Sequence, residues 1–297
     1  MCAHNEERHI AAALESLLSQ QLPESLELHE VLVVASGCTD GTEDIVREWS
    51  RRDSRIILLH ERSRSGKARA LNWILEEAKG EIIVTLNADA RLASGALACL
   101  LAPFSRSAQV VIACGAPVLP NGLTHPTLLT LDLLWRLHNR TLDTLSKLGL
   151  PNHCCDEFMA IRRGFVDALP NGLMNDGAYL GTMASLRGIS VLFCPGARVI
   201  VDPPRTIHGY ILRRQTLLRG HKQVIEILRK PPNTLETLMM RDPALASVIA
   251  AREFFSDLRS VLTAFLLLLP LEGVASLIAR LERSRGKKYE PIWTMVE

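Results

Sequence analysis

In the first half of the chain the apolar positions alternate between a helical period and short unbroken runs. Over residues 6–20, Ile10, Ala13, Leu14, Leu17 and Leu18 fall on one helical face. Glu6 and Glu7 then occupy the first turn, where the helix dipole favours negative charge. Val31–Ala35 is a continuous apolar run, the mark of a strand buried on both faces. Asp40 and Glu43 have capping-box-like spacing ahead of a helix reaching about Arg52, and Arg55–Leu59 predicts the next strand. Residues 67–79 predict a helix with Ala70, Leu71, Ile74, Leu75 and Ala78 inward and Gly80 as its stop. Glu81–Leu86 and Gln109–Cys114 read as further strands. Strands separated by helices in this rhythm predict an α/β fold, a mostly parallel sheet with helices on both faces.

A sheet of this kind normally opens with a strand just before His4-Asn5-Glu6, where only three residues stand. Either the first strand is truncated or the start lies too late. The second half is more helical. Leucines at helical spacing fill residues 125–147, Glu157–Ile161 predicts a strand, and Asp176–Arg187 predicts a helix ended by Gly188. Ile189–Phe193 and Ala197–Val201 predict short strands before a long helix near 206–229, which Pro231-Pro232 breaks. Residues 260–281 form the most hydrophobic stretch, just long enough to span a bilayer. Pro270 and Glu272 interrupt it, and Arg259 and Arg280 flank it. The internal charge argues against a simple spanning helix. An interfacial or re-entrant pair of half-helices fits at least as well, and a buried helical hairpin of a soluble protein is the other reading. The expected organisation is a catalytic domain over residues 1–230, with a donor half of about 1–115 and an acceptor half of about 116–230. A helical, hydrophobic, membrane-associated region over 231–297 follows.

Composition narrows the class. The 297 residues are 47% hydrophobic and 22% charged, which excludes a disordered or fibrous chain. Lys+Arg 34 against Asp+Glu 32 leaves a formal net charge of +2, so there is no electrostatic case for nucleic acid as the main partner. Only Arg280 to Lys288 is locally basic. The 7 cysteines show no metal-type spacing, and Cys154-Cys155 are adjacent, so reduced thiols in a reducing compartment are expected. The opening Met1–Glu7 lacks the basic and apolar regions of a signal peptide.

Ligands of open α/β sheets bind beyond the carboxyl ends of the strands. Three polar clusters fall at such ends: His4-Asn5-Glu6, Ser36-Gly37-Cys38-Thr39-Asp40 and Asn87-Ala88-Asp89. Each alone has a bland reading, Asn5 and Asp40 as helix caps and Asp89 as a turn carboxylate. Their recurrence at one edge is the stronger signal. Asn87-Ala88-Asp89 is the sharpest, following the apolar run Ile82-Ile83-Val84. A carboxylate there can hold a divalent cation through a hard oxygen, and the cation can neutralise charge developing on a diphosphate leaving group. A second carboxylate would take the acceptor's proton, and Asp176 is the candidate.

These residues resemble the family 2 glycosyltransferases, which have the Rossmann-like GT-A fold. The likeness is carried by Ala3-His4-Asn5-Glu6-Glu7, by Ser36 to Thr42, by Gly66-Lys67-Ala68-Arg69-Ala70-Leu71-Asn72 and by Gly80-Glu81-Ile82-Ile83-Val84, in family order over residues 3–92. Residues 157–221 match more loosely, through Ala160-Ile161-Arg162-Arg163, Asn175-Asp176 and Arg219-Gly220-His221. The resemblance implies that Ala3, Asn5 and Glu6 line the nucleotide pocket, that Asp40 closes on base and ribose, and that Lys67 faces the nucleotide. It implies Mn²⁺ or Mg²⁺ at Asp89 and a general base at Asp176. Asn87 replaces the first carboxylate of the family's Asp-x-Asp; it can still bond a ribose hydroxyl but lends the metal no charge. Asn175 replaces the family's Glu, removing a like charge beside Asp176. Gln215 is followed by no Trp, which argues against long-chain polymer synthesis.

The implied function is inverting, metal-assisted hexosyl transfer from a nucleotide-diphosphate sugar to a hydroxyl acceptor. The acceptor would be lipid-linked or a cell-surface glycan precursor, met at the cytoplasmic face of the cell membrane, with the cytoplasm as the alternative. A catalytically impaired nucleotide-binding relic of the same fold is the runner-up. A nucleotidyltransferase is a weaker rival, because residues 3–9 lack its Gly-rich phosphate loop.

Overall fold

The computed structural model describes residues 1–120, 125–204, 206–256 and 258–284. Three parallel strands, β1 (Cys2–Ala3), β2 (Val31–Ser36) and β3 (Ile56–Glu61), form one sheet in that order. The unbroken apolar run of β2 is explained by its central place, where all six residues are buried. The crossovers are α1 (Ile10–Leu18) and α2 (Thr42–Arg52), and α3 (Lys67–Glu77) leads to the second sheet. That sheet contains β4 (Ile82–Leu86), β5 (Ala90–Leu92), β6 (Ile112–Val118), β7 (Phe158–Arg162) and β8 (Val191–Val201), in the order β4-β7-β6-β8-β5. β6 and β8 are parallel, whereas β7 runs antiparallel to both β4 and β6, and β5 antiparallel to β8.

Alternation along the strands divides the core in two. Val31 and Val33, Ala113, and Phe158 and Ala160 face one cluster; Leu32 and Val34, Ile112 and Cys114, and Met159 and Ile161 face the other. The first is covered by α1 and by α4 (Ala96–Arg106), the second by α3 and by α6 (Asp176–Leu186). Helices therefore cover both faces, as the helix–strand rhythm predicts. α5 (Pro126–Lys147) and α7 (Ile207–Leu228) stand across the rim, followed by α8 (Leu235–Arg241) and α9 (Pro243–Phe254).

Several local expectations need correction. Glu6 and Glu7 lie outside α1: Asn5 takes φ 55, the Glu6 carbonyl accepts from the amides of His9 and Ile10, and the helix begins at Ile10. Asp40 is not the cap of α2, whose N-cap is Gly41. The strand expected at 109–114 begins at Ile112 and runs on to Val118, past Gly115 and Pro117. The two short strands expected after Ile189 are one, β8, which crosses Pro195 through a register shift opposite Gly115. A Cβ on Gly115 would stand 2.4 Å from the Ala197 carbonyl oxygen, so only glycine permits that approach.

The apolar C-terminal stretch is neither a hairpin nor a pair of half-helices. α10 (Leu258–Thr263), a π-helical turn (Ala264–Leu268) and α11 (Leu269–Ser284) run on as one helix, long and apolar enough to cross a membrane. Pro270 lacks an amide donor, and the π turn before it absorbs the break in the ladder. One face packs Ala264 and Leu268 on Leu133 and Leu137 of α5. Glu272 is clamped by the Tyr210 hydroxyl and by Arg214, whose Nε and Nη2 donate at 2.7 and 2.6 Å. The opposite face, with Leu258, Leu262, Phe265, Leu266, Leu269 and Leu277, is exposed.

Candidate active site

The carboxyl ends of β1, β2 and β4 meet at a cleft of about 450 Å³, closed by the start of α3, the residues before β7, and α5 and α7. Ala3, Glu6, Lys67, Asn87 and Asp89 all line it. Asn5 and Asp40 do not line it. Both tie loops together instead. Asn5 accepts from the Thr39 amide at 2.8 Å and donates to the Thr39 hydroxyl at 3.2 Å. The Asp40 carboxylate accepts from the Thr42 amide at 3.0 Å and the Glu7 amide at 3.1 Å. Their place in the family pattern is met by scaffolding the first two strand ends.

Asp89 sits in the turn between β4 and β5, and among the described residues its carboxylate has no hydrogen bond or ion pair. Burial and the charge of Asp89 push Glu6 up to about 7. Glu157 is 6% exposed and receives the Asn87 amide at 2.6 Å and Arg213 at 2.7 Å. Burial raises it to about 7, with Arg213 opposing and Asp156 and Asp89 adding. Asn87 thus turns its amide to a neighbouring acid and brings no charge of its own.

Lys67 opens α3 behind Gly66, with its Nζ 3.2 Å from Asp156 and 3.1 Å from Asp176. Burial opposes its charge, but Asp176 and Asp156 hold the ammonium above the ordinary lysine value. Asp176 is the first residue of α6, behind the N-cap Asn175, whose side chain accepts from the Ala178 amide at 2.7 Å. It lies behind the cleft wall, 3% exposed, with Oδ2 buried and unpartnered among the described residues. Burial raises its carboxyl to about 6, with Lys67 pulling down and Asp156 pushing up. Asn175 removes one like charge beside Asp176, and Asp156 supplies another.

Asp156 and Glu157 line the cleft and were not singled out as site residues from the sequence; Arg213, which lines it too, stands on a helical face whose arginines could meet a diphosphate or equally be solvated. The reason is topological. β7 is antiparallel to β4, with Leu86 opposite Phe158, so the residues preceding β7 reach the rim where β4 ends. A search at carboxyl ends alone passes them by. The available signal is the acidic pair Asp156-Glu157 directly ahead of an apolar strand.

The donor set suits a hard divalent cation: carboxylate oxygens of Asp89, with Glu6 near enough to feel its charge. Among the described residues no group of three or more such ligands gathers, so the cation would draw its remaining ligands from water and substrate oxygens.

Comparison with known proteins gives the family and the fold. The model of "Glycosyl transferase family 2" matches residues 1–169. Over 86 residues the chain is 35% identical to Glycosyltransferase AglE of Haloferax volcanii, covering 29% of this chain and 28% of that one. Over 108 residues it is 32% identical to a beta-monoglucosyldiacylglycerol synthase of Nostoc sp., covering 36% of this chain and 23% of that one. The match thus spans about a quarter of the length of these curated relatives. Mannosyltransferase PcManGT from Pyrobaculum calidifontis, solved with GDP-Man and Mn²⁺, superposes with a TM-score of 0.63 at 21% identity, over 97% of this chain and 86% of that one. GalNAc-T7, solved with UDP, GalNAc and Mn²⁺, superposes with a TM-score of 0.54 at 15% identity, over 83% of this chain and 57% of that one. Both show a shared GT-A fold. With its model matched over more than half of the sequence and this cleft at the expected strand ends, the chain belongs to glycosyl transferase family 2.

Proposed function

We propose that the chain is an inverting, metal-assisted glycosyltransferase moving a sugar from a nucleotide-diphosphate donor to a hydroxyl acceptor. The observation that carries this reading is the opening of Asp89 and Asp156 on one cleft, with Lys67 linking Asp156 to the buried Asp176 behind the wall. Asp89 would hold Mn²⁺ or Mg²⁺ on the donor's diphosphate, and the cation, when bound, offsets the charge that develops there. Ala3 and Glu6 would face the nucleotide, with Asn5 and Asp40 holding their loop.

Asp176 takes the acceptor's proton as its oxygen bonds to the anomeric carbon. The bond from that carbon to the diphosphate oxygen breaks, and the nucleoside diphosphate leaves with the electron pair. The stronger base of the acid pair is Asp176. Despite burial, Lys67 holds Asp156 below the usual aspartate range, whereas Asp176 is raised and has an oxygen without a partner. Asp156 is the second reading, favoured by one observation: it lines the cleft and Asp176 does not.

The exposed apolar face of α10 and α11 supports work at a membrane surface, and the cytoplasmic face and a lipid-linked acceptor are proposed with it. The impaired-relic reading draws on Asn87, which offers no metal charge. A donor panel with mass detection tests all of these. Asp89→Ala should weaken donor binding in Mn²⁺, while Asp176→Asn should spare binding and lower transfer roughly 10²–10⁴-fold. Equal donor affinity in wild type and Asp89→Ala would remove the metal assignment. A loss confined to Asp156→Asn would move the base.

A further inference from the structure

Four rings stack edge to face along one wall of the cleft, and the donor chemistry uses none of them. Trp135 and His138 of α5 are 5.4 Å apart at 84°. His138 and His153 are 5.6 Å apart at 88°, and His153 and His221 of α7 are 5.8 Å apart at 79°. All four line the cleft, and His153 is only 6% exposed. Nε2 of His138, Nδ1 of His153 and Nε2 of His221 are buried with no hydrogen-bond partner among the described residues. Each such atom left unmet costs about 1–3 kcal/mol, and native interiors hold few of them. These three atoms are closed to solvent, but the second nitrogen of each ring has no hydrogen bond among the described residues either, and that is the nitrogen a ligand in the cleft can meet.

We propose that this wall is an acceptor subsite, in which His138, His153 and His221 hydrogen-bond a neutral, hydroxyl-rich glycosyl group beside Trp135. It deepens the glycosyl-transfer reading and rests on it. The chemistry of the rings selects the ligand class. Burial pushes His138 and His221 down to about 3 and His153 to about 4, so all three are neutral near pH 7. A neutral imidazole has one donor and one acceptor nitrogen, and a sugar hydroxyl both donates and accepts. A phosphate would prefer charged donors. The indole of Trp135 offers an apolar ring to the C–H face of a pyranose.

The test uses the full chain labelled with ¹⁵N-histidine. Methyl mannopyranoside, methyl glucopyranoside and N-acetylglucosamine serve as neutral probes, with inorganic phosphate as the anionic one. At least one neutral sugar should shift the ring nitrogens of His138 and His221 saturably. His138→Phe and His221→Phe should each weaken that binding by about tenfold, the equivalent of one hydrogen bond. The Gln variants should retain more affinity than the Phe variants, and nucleoside diphosphate affinity should stay unchanged throughout. Ring resonances unmoved by all three sugars, while nucleoside diphosphate binds normally, would overturn the subsite. So would a response to phosphate without one to sugars. Sugar-induced shifts in a chain that binds no nucleoside diphosphate would support the subsite and fault the donor assignment instead.

Discussion

Lys67 stands 3.2 Å from Asp156 and 3.1 Å from Asp176, so one ammonium sets the proton affinity of two buried acids. Removing it in Lys67→Met leaves those acids facing each other, so both should hold protons more tightly. The acid limb of kcat/KM, expected near pH 6 from Asp176, should move to higher pH by about one unit or more. A pH–rate profile at saturating Mn²⁺ checks this. Asp176 also links to stability. Its carboxyl titrates near 6 in the fold against 3.8 for an ordinary aspartate, so the folded state binds the proton more tightly. Its contribution is present below pH 4 and is lost as pH rises through about 6. Asp176→Asn should therefore melt no lower than wild type near pH 7, gaining on the order of 1–3 kcal/mol while transfer collapses. A lower melting temperature with full activity would contradict both roles. At this scale the sequence pointed to Glu6, Asn87 and Asp89 at a rim because strand ends mark one, and to Lys67 only through the family resemblance; all four line the cleft. It could not show that Asn5 and Asp40 are spent on loop bonds, or that the charge absent at Asn175 returns through Asp156.

The meeting of Asp156 with Asp176 is made by helix faces. Gly177 and Gly181 lie one turn apart on α6, and there the backbone of residues 153–156 comes against the helix. A Cβ on Gly177 would stand 2.4 Å from the Cys154 carbonyl oxygen and 2.9 Å from the Asp156 amide nitrogen. On the other side, a Cβ on Gly220 of α7 would stand 2.7 Å from the Asn175 Cβ. Gly177→Ala should push the two acids apart, costing about 1–3 kcal/mol of stability and lowering transfer while donor binding persists. Thermal melts with nucleotide titration would show it, and an unchanged transfer rate would deny the helix face its positioning role. Most elements were legible because their periods are clean, as in β2 and α3. β5 and α4 were missed: the strand has only three residues, and α4 carries Pro103 within it. The merging of two short strands into β8 could not be read along the chain, since it depends on a register shift against β6.

On the scale of the molecule, the C-terminal helix carries two opposed faces. Inward, Ala264 and Leu268 pack on α5, and Glu272 is held by Arg214 and Tyr210 of α7, the helix that also brings Arg213 and His221 to the cleft. Outward, Phe265 and Leu266 are 57% and 67% exposed beside Leu262 and Leu269. A helix crossing a bilayer would have to carry Glu272 away from Arg214 and into hydrocarbon, which is costly. Lying in the interface satisfies both faces at once: the charge stays paired with the protein and the leucines meet acyl chains. By sequence, Arg280 to Lys288 are rich in Lys and Arg, a composition that favours anionic headgroups. The full chain should therefore sediment with phosphatidylglycerol vesicles more than with phosphatidylcholine vesicles, and rising salt should weaken the difference. Phe265→Asp with Leu266→Asp should release it from both, leaving nucleotide affinity intact because neither residue lines the cleft. If that double variant stays on the vesicles, the outward face is not a membrane-binding face, and the proposal of a lipid-linked acceptor loses its support.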